Sequence, residues 1–433
     1  MKIKKLRFNS NNKALMKRIA FTVGVLVIYD LLTYVTIPGV DPKALSKIAA
    51  NPTLTMLSIF SGGGFETLSI LSMGVSAYIS AQIIVQLLQS DVVPKLTEWS
   101  KQGQTGRQKL NQFTRWVTLI LGIIQSVGII AGINQLSKYG FVIDNSIWTY
   151  CVLAMVLTAG TFMAMWFADQ ITEKGLGNGI SVLIAAGILK RVPSTVKQFY
   201  LSISTTVSTN WWLLAGTIAI LIVMVLVIVW FNRSEYRMKI QYSRKESQTG
   251  DLSYLPLKIL VPGMVPVIFA SGLLTMPQSI VMFFQGSKGT TWYRITQQFF
   301  NLNTSMGATL YAILIIAFTY LYSFVQVEPE KMADNLGKQE AYIVGIRPGD
   351  DTAYFVKQKL FELGLPGSLF LTIISIIPLI ASNMISASLF MGLSGSSLLI
   401  IVGTFTDIGR QIEGLKLKKE YPGFMNEQYS FRK

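Results

Sequence analysis

The sequence predicts an all-α membrane protein that crosses the bilayer ten times, and three observations carry that expectation. Apolar residues make up 51% of the 433-residue chain and charged residues only 14%, and the apolar ones are gathered into long runs instead of being spread over amphipathic faces. Ten such runs lie at about 19–37, 68–89, 113–134, 148–168, 176–192, 211–231, 259–284, 306–326, 364–382 and 389–409. Most approach the roughly 20 residues that a helix needs to cross about 30 Å of hydrocarbon. Of the 38 Lys and Arg residues, 29 fall in alternate gaps, the two ends included, 6 in the others, and Arg115, Lys190 and Arg191 at the edges of runs, so the positive-inside rule puts both termini in the cytosol.

Taken in order, the first run follows Lys13, Lys17 and Arg18 and ends in Ile37-Pro38-Gly39 with no small-residue cleavage pattern; it is expected to stay attached as the first span. The stretch Met56–Phe65 is too short to span and is interrupted by Gly62, Gly63 and Gly64. A re-entrant segment within the protein and a helix lying on the outer surface both fit it. The second span is rich in small and hydroxylic residues from Leu68 to Gln82, with Gln86 one turn later; that face either packs tightly on other helices or lines a water-filled passage. The fifth span is short and opens with Gly175-Leu176-Gly177-Asn178-Gly179-Ile180-Ser181. Without the Lys-Ser/Thr pair of a phosphate loop, this cluster predicts close helix packing and a tight cytosolic turn. Spans two, five, seven and ten are then the interior ones, and interrupted segments in two halves point to an inverted repeat. The longest cytosolic gaps are 232–258 and 327–363. In the second, Pro348 fixes its own φ and biases Arg347 away from helix, holding the arginine at a stiff corner.

Composition also excludes functions. The formal charge of +16 is explained by the cytosolic Lys and Arg of an inner-membrane protein before nucleic-acid binding is needed. Cys151 is the single cysteine, so there is no intrachain disulfide or cysteine metal cluster, and without any His there is no catalytic His, His relay or His-bound metal. Asp30 is the only acid well inside a run, Asp169 and Asp407 sit at cytosolic ends, and the 44 residues from Leu363 to Thr406 carry no charge. An ion-coupled transporter would keep paired charges in its spans. An intramembrane enzyme would need a nucleophile and base or a metal. Asp30 is expected to be structural, and no cofactor is expected.

The ordered motifs Ile37-Pro38-Gly39-Val40, Phe60-Ser61-Gly62-Gly63, Ile83–Leu88, Gly103–Arg107, Gln170–Ser181, Val265–Ser271, Ala333–Leu336, Gly345–Gly349 and Ser397–Ile400 carry a resemblance along nearly the whole chain. It is similar to the SecY family, the channel subunits of bacterial protein-conducting translocons. The resemblance implies two pseudo-symmetric, inverted five-helix halves around an hourglass pore: residues 1–195, with a plug at about 54–65, and 196–412, followed by a tail at 413–433. Unfolded secretory proteins would pass through the waist, and transmembrane segments would leave sideways into lipid.

Residue by residue, the resemblance assigns the pore ring to Val75, Ile79, Ile184, Ile268 and Ile400, and part of the plug to Phe60, Ser61, Gly62 and Gly63. It assigns the lateral gate to Ser80, Gln86, Ser271 and Met276, and docking to Arg237, Lys239, Arg244, Arg347 and Pro348. Implied partners are the SecE and SecG subunits, the SecA motor ATPase, the ribosome, signal peptides, unfolded polypeptide and membrane lipid, with YidC and SecDF as further associates. Nucleotide hydrolysis would belong to SecA, so this chain is not expected to be an enzyme. Three departures stand out: Asp30 where relatives commonly carry a basic residue, Ala77 in place of a usual proline, and Leu393-Ser394-Gly395-Ser396 in place of a glycine pair and threonine. They leave open a housekeeping channel or an accessory copy for particular exported proteins, and the complete docking loops favour the former.

Overall fold

A computed structural model describes residues 13–37, 69–89, 93–136, 146–205, 211–242, 253–283, 291–302, 304–385 and 395–420. Each of the ten apolar runs overlaps a described helix. In chain order the helices are α1 (Lys13–Leu32), α2 (Ser76–Gln89), the short α3 (Pro94–Lys101), α4 (Gly103–Leu136), α5 (Ile147–Lys174), α6 (Gly179–Thr205) and α7 (Trp211–Arg233). They continue with α8 (Val265–Phe283), the short α9 (Thr291–Phe300), α10 (Ser305–Val327), the short α11 (Pro329–Lys338), α12 (Asp350–Ile385) and α13 (Gly395–Glu420). Among the described residues, five helices are long and apolar enough to cross a membrane by length and composition: Gly103–Ala131, Ile147–Lys174, Gly179–Lys197, Ser305–Lys338 and Asp350–Ile380. The protein is thus a polytopic helical membrane protein.

Helices form here because in hydrocarbon each peptide group must find its partner within the segment. Hydroxyls follow the same rule by donating back one turn: Thr118 to the Thr114 carbonyl at 2.7 Å, Thr158 to Ala154 at 2.7 Å and Thr319 to Ile315 at 2.6 Å. The outer surface is aliphatic and aromatic, with Val27 and Leu31 on α1, Trp116 and Ile120 on α4, Leu226 and Trp230 on α7, and Ile373 and Ile380 on α12 all exposed. Such surface would be unfavourable in water but is matched by lipid tails.

One large apolar cluster occupies the middle. Spans two, five, seven and ten all contribute to it, as expected, but the fourth, α5, is buried at least as fully as the fifth. On α8 every residue from Pro266 to Gly272 is buried, and on α6 so is Ser181 to Ala185. The small-residue face of span two is packed as well: Ser69, Ser72, Ala77, Ser80 and Ala81 are buried among helices. In contrast α7 buries one stripe, Met224 and Ile228.

Three elements differ from expectation. The second run opens as turns from Ile70 to Val75, with Gly74 at φ 50°, and becomes helical only at Ser76. The helix of the fifth span outruns its apolar run, since α6 continues through Pro193 to Thr205 while its apolar stretch is Gly179–Lys197. The two long gaps, expected as separate loops, fold together outside the membrane spans, so the all-α description holds for the spans but not for this module. Strand β1 (Glu235–Tyr242) pairs antiparallel with β2 (Ser253–Lys258) and, on its other edge, with β3 (Ala341–Ile343), giving the order β2-β1-β3. The alternation of β1 turns Met238 and Ile240 inward, where they meet Leu257, Ile343, Leu336 of α11, and Val356 and Leu360 of α12. Glu328 alone joins α10 to α11, in the left-handed region at φ 43° and directly before Pro329.

Candidate pore, gate and docking surfaces

The five residues expected at the pore are all buried, at 1% exposure for Val75, Ile184 and Ile400, 2% for Ile79 and 5% for Ile268. They belong to a single apolar cluster although they come from four separate spans. Val75 and Ile79 share a face, because the Ile79 amide donates to the Val75 carbonyl at 2.9 Å across the first turn of α2. Ile400 has its carbonyl capped by the Thr404 hydroxyl at 2.7 Å.

The expected gate helices touch. A Cβ added to Gly272 on α8 would lie 3.3 Å from Ile83 and 3.4 Å from Ile79 on α2, so glycine is what permits this approach. Ser80 is buried and donates to the Ser76 carbonyl at 3.1 Å; Ser271 is buried and donates to the carbonyl of Val267, 2.7 Å away, or of Ile268 at 2.9 Å. Gln86 and Met276 are half-buried. Sequence reasoning missed the third span here: α8 packs on α4 as well as on α2, and Gln125 of α4 reaches Ser80 with its amide at 3.5 Å. The available signal was a lone amide in the middle of an apolar run.

The glycine cluster between α5 and α6 serves close packing, as expected. A Cβ at Gly179 would collide with the Ala168 carbonyl, one at Gly175 would sit 2.5 Å from the Thr22 hydroxyl, and Gly177 adopts φ 83°. The turn's amides are met by side chains from distant helices: Leu176 donates to Thr22 Oγ1 of α1 at 3.0 Å and Gly177 to Gln411 Oε1 of α13 at 2.7 Å. Asp30 is structural in its contacts. Its carboxylate pairs with Lys190 of α6 at 2.6 Å, and the same ammonium reaches Thr33 Oγ1 at 2.8 Å and lies 4.2 Å from the Tyr34 ring centre.

On the module, Arg237 and Lys239 point outward from β1 and are exposed, opposite Pro256 and Tyr254 of β2. Arg347 and Pro348 are exposed at a corner between Gly345 (φ 88°) and Gly349 (φ 102°), which the Thr352 hydroxyl braces by donating to the Arg347 carbonyl at 2.8 Å. At the root of the hairpin, burial and then the nearby Arg410 push Lys258 below the usual lysine range, against the opposing pull of Asp407 and Glu235. Phe60, Ser61, Gly62, Gly63 and Arg244 lie outside the described residues. Among the described residues no three Cys, Asp or Glu gather as a metal site would require.

A helical membrane bundle whose aliphatic centre is drawn from four spans, beside a folded module that exposes Arg237, Lys239 and Arg347, is the architecture of a membrane channel with a cytosolic docking face, and known proteins share it. The SecY family model matches residues 69–408, and the chain belongs to the SecY family. Protein translocase subunit SecY 2 of Lactobacillus kefiranofaciens subsp. kefiranofaciens is 55% identical over 406 residues, covering 94% of this chain and 99% of the relative. Protein translocase subunit SecY 1 of the same organism is 44% identical over 421 residues, covering 96% and 97%. A solved SecY channel, studied for how its plug domain stabilises the closed state, superposes with a TM-score of 0.70 at 16% identity over 98% of this chain and 97% of that one. That last likeness is one of fold.

Proposed function

We propose that this chain is the central channel subunit of a bacterial Sec translocon, in the plasma membrane with both termini cytosolic. It passes unfolded secretory proteins through a waist formed by Val75, Ile79, Ile184, Ile268 and Ile400 and releases transmembrane segments between α2 and α8. The carrying observation is that these five aliphatic side chains, far apart in sequence, share one buried cluster. Apolar walls at a constriction disfavour continuous water, so ions are stopped by dewetting instead of by charge. The same walls hold no particular peptide tightly, because dispersion and hydrophobic contacts are non-directional. One ring therefore seals when empty and slides when occupied.

In this reading residues 1–195 and 196–412 form the two halves, Phe60 to Gly63 lie in the plug, and Ser80, Gln86, Ser271 and Met276 line the lateral gate. Arg237, Lys239, Arg244, Arg347 and Pro348 meet the SecA motor or the phosphates of ribosomal RNA. SecE and SecG complete the complex, and YidC and SecDF associate with it. The test is purification with native partners, then reconstitution with SecA and an unfolded secretory protein. A co-purifying one-span SecE-like protein and ATP-dependent import into proteoliposomes are expected; a chain that isolates alone and passes nothing would sink the reading. For orientation, cysteines at the exposed Gln241 and Glu340 should label only from the cytosolic side and one at Thr290 only from outside, in a chain lacking Cys151.

A second reading has its own observation: the identity to SecY 2 of Lactobacillus kefiranofaciens is 55%, against 44% to SecY 1. The chain would then be an accessory copy serving a subset of exported proteins. Deletion of its gene separates the two, general secretion failing for a housekeeping channel and a few secreted species vanishing for an accessory one.

A further inference from the structure

A short stretch of α13, Asp407 to Gln411, is fastened on two sides. On one, Gln411 Oε1 accepts from the Gly177 amide at 2.7 Å, and Ile408 rests against the same turn, where a Cβ at Gly177 would meet it at 3.0 Å. On the other, Arg410 Nη2 donates to the Asn232 carbonyl at 2.7 Å with the Glu235 carboxylate 3.9 Å away, and Asp407 faces Lys258 at 3.9 Å. Glu235 and Lys258 oppose each other across β1 and β2, so α13 grips the hairpin at its root. Ile400 lies on the same unbroken helix, about two turns from Asp407.

The two sides differ in kind. Gly177 is buried and its turn belongs to the segment joining α5 to α6, while Gln411 is exposed. The contact is therefore open to solvent on the Gln411 side only, and it ties an exposed side chain to a buried turn.

We propose that Gln411 is a positioning residue for polypeptide passage: it latches α13 to the 175–178 turn at the channel mouth, and a partner drawing on the β1–β2 hairpin releases the latch through Arg410 and Asp407. The latch rests on the pore reading above, because its effect is exerted on Ile400. While it is closed, α13 is held against α6 and the ring side chains Ile400 and Ile184 stay packed in their shared cluster. Once it is released, α13 is free to carry Ile400 away from Ile184.

The test uses the channel with its partner subunits in planar bilayers. Gln411→Leu, which removes the acceptor at similar size, should raise resting ion conductance about fivefold, the population shift expected from one net hydrogen bond. Gln411→Glu keeps an acceptor for the Gly177 amide and should conduct as the parent does. Arg410→Gln should keep the low resting conductance but lose most of the increase that SecA and ATP produce. Ile400→Asn runs in parallel as the pore control. If it leaks while Gln411→Leu does not, the latch is overturned; if neither leaks, the pore reading fails first and takes the latch with it. Equal leak from the Leu and Glu variants, parental stimulation in Arg410→Gln, or failure of Gln411→Leu to insert would each overturn the latch as well.

Discussion

The pore cluster and the extramembrane module are both apolar cores, but they are built to different standards. In the cluster, Val75 and Ile79 at the start of α2 meet Ile184, Ile268 and Ile400 of three other spans with no sheet or paired backbone joining the four. In the module, Met238, Ile240, Ile343, Val356 and Leu360 are held by a paired sheet and by corners whose backbone is fixed at Gly345, Gly349 and Glu328. In the proposed reading a seal that must part for any polypeptide gains from contacts without direction, whereas a docking face would have to hold Arg237, Lys239 and Arg347 in one geometry. Loss of a contact should therefore show as leak in the first region and as lost docking in the second.

The largest effect should come from a position that neither region can absorb. Gly160→Val on α5 would drive a side chain into the Ile70 carbonyl and should destabilise the bundle by about 4 kcal/mol or more, seen as loss of inserted protein. Arg347→Glu should leave abundance intact, because among the described residues the arginine side chain makes no ion pair or hydrogen bond within the chain and is exposed. It should cost about 2 to 5 kcal/mol of SecA docking if that contact is a desolvated ion pair, measured as SecA affinity and export rate; normal export would remove Arg347 from the docking face. Leu360→Ala, in the module's core at 1% exposure, should cost about 2 to 5 kcal/mol locally. Limited proteolysis between 235 and 363 should accelerate while resting conductance stays low, and a leak there would erase the contrast between the two regions.

Ile79→Asn or Ile400→Asn should do the reverse, raising resting conductance with export maintained, because an amide favours water at the waist; unchanged conductance in both would count against the ring. Asp30→Asn removes the counter-charge of Lys190 between two spans, where an unpaired ammonium is costly. The melt of the solubilised complex should fall, and an unchanged melt would contradict that.

Much of the membrane part was legible in the residues because hydrocarbon imposes a local rule: each span must be apolar and helical by itself. The ten runs followed from that, while the interior places of spans two, five and seven and the packing role of Gly175, Gly177 and Gly179 were read from small and hydroxylic residues, a signal that the equally buried α5 gives less plainly. The module was not legible, because its register joins Ile240 to Ile343, two segments separated by two membrane spans with no local signal of their meeting. Only the alternation Met238, Ile240, Tyr242 hinted at a strand. The third span's place beside the gate was missed for a similar reason, Gln125 reading as one polar residue in an apolar run until α8 is seen against α4. The fifth apolar run ends at about 192, yet α6 continues through Pro193 to Thr205.

The junction at Glu328 sets how load travels between the two regions. With a single left-handed residue between α10 and α11, and a proline fixing the next φ, there is no slack linker to soak up a push on the docking face. A push at Arg347 meets a second stiff path, because α12 begins at Asp350 and runs unbroken to Ile385, so load would reach the bundle through this elbow and that helix together rather than being dissipated in chain.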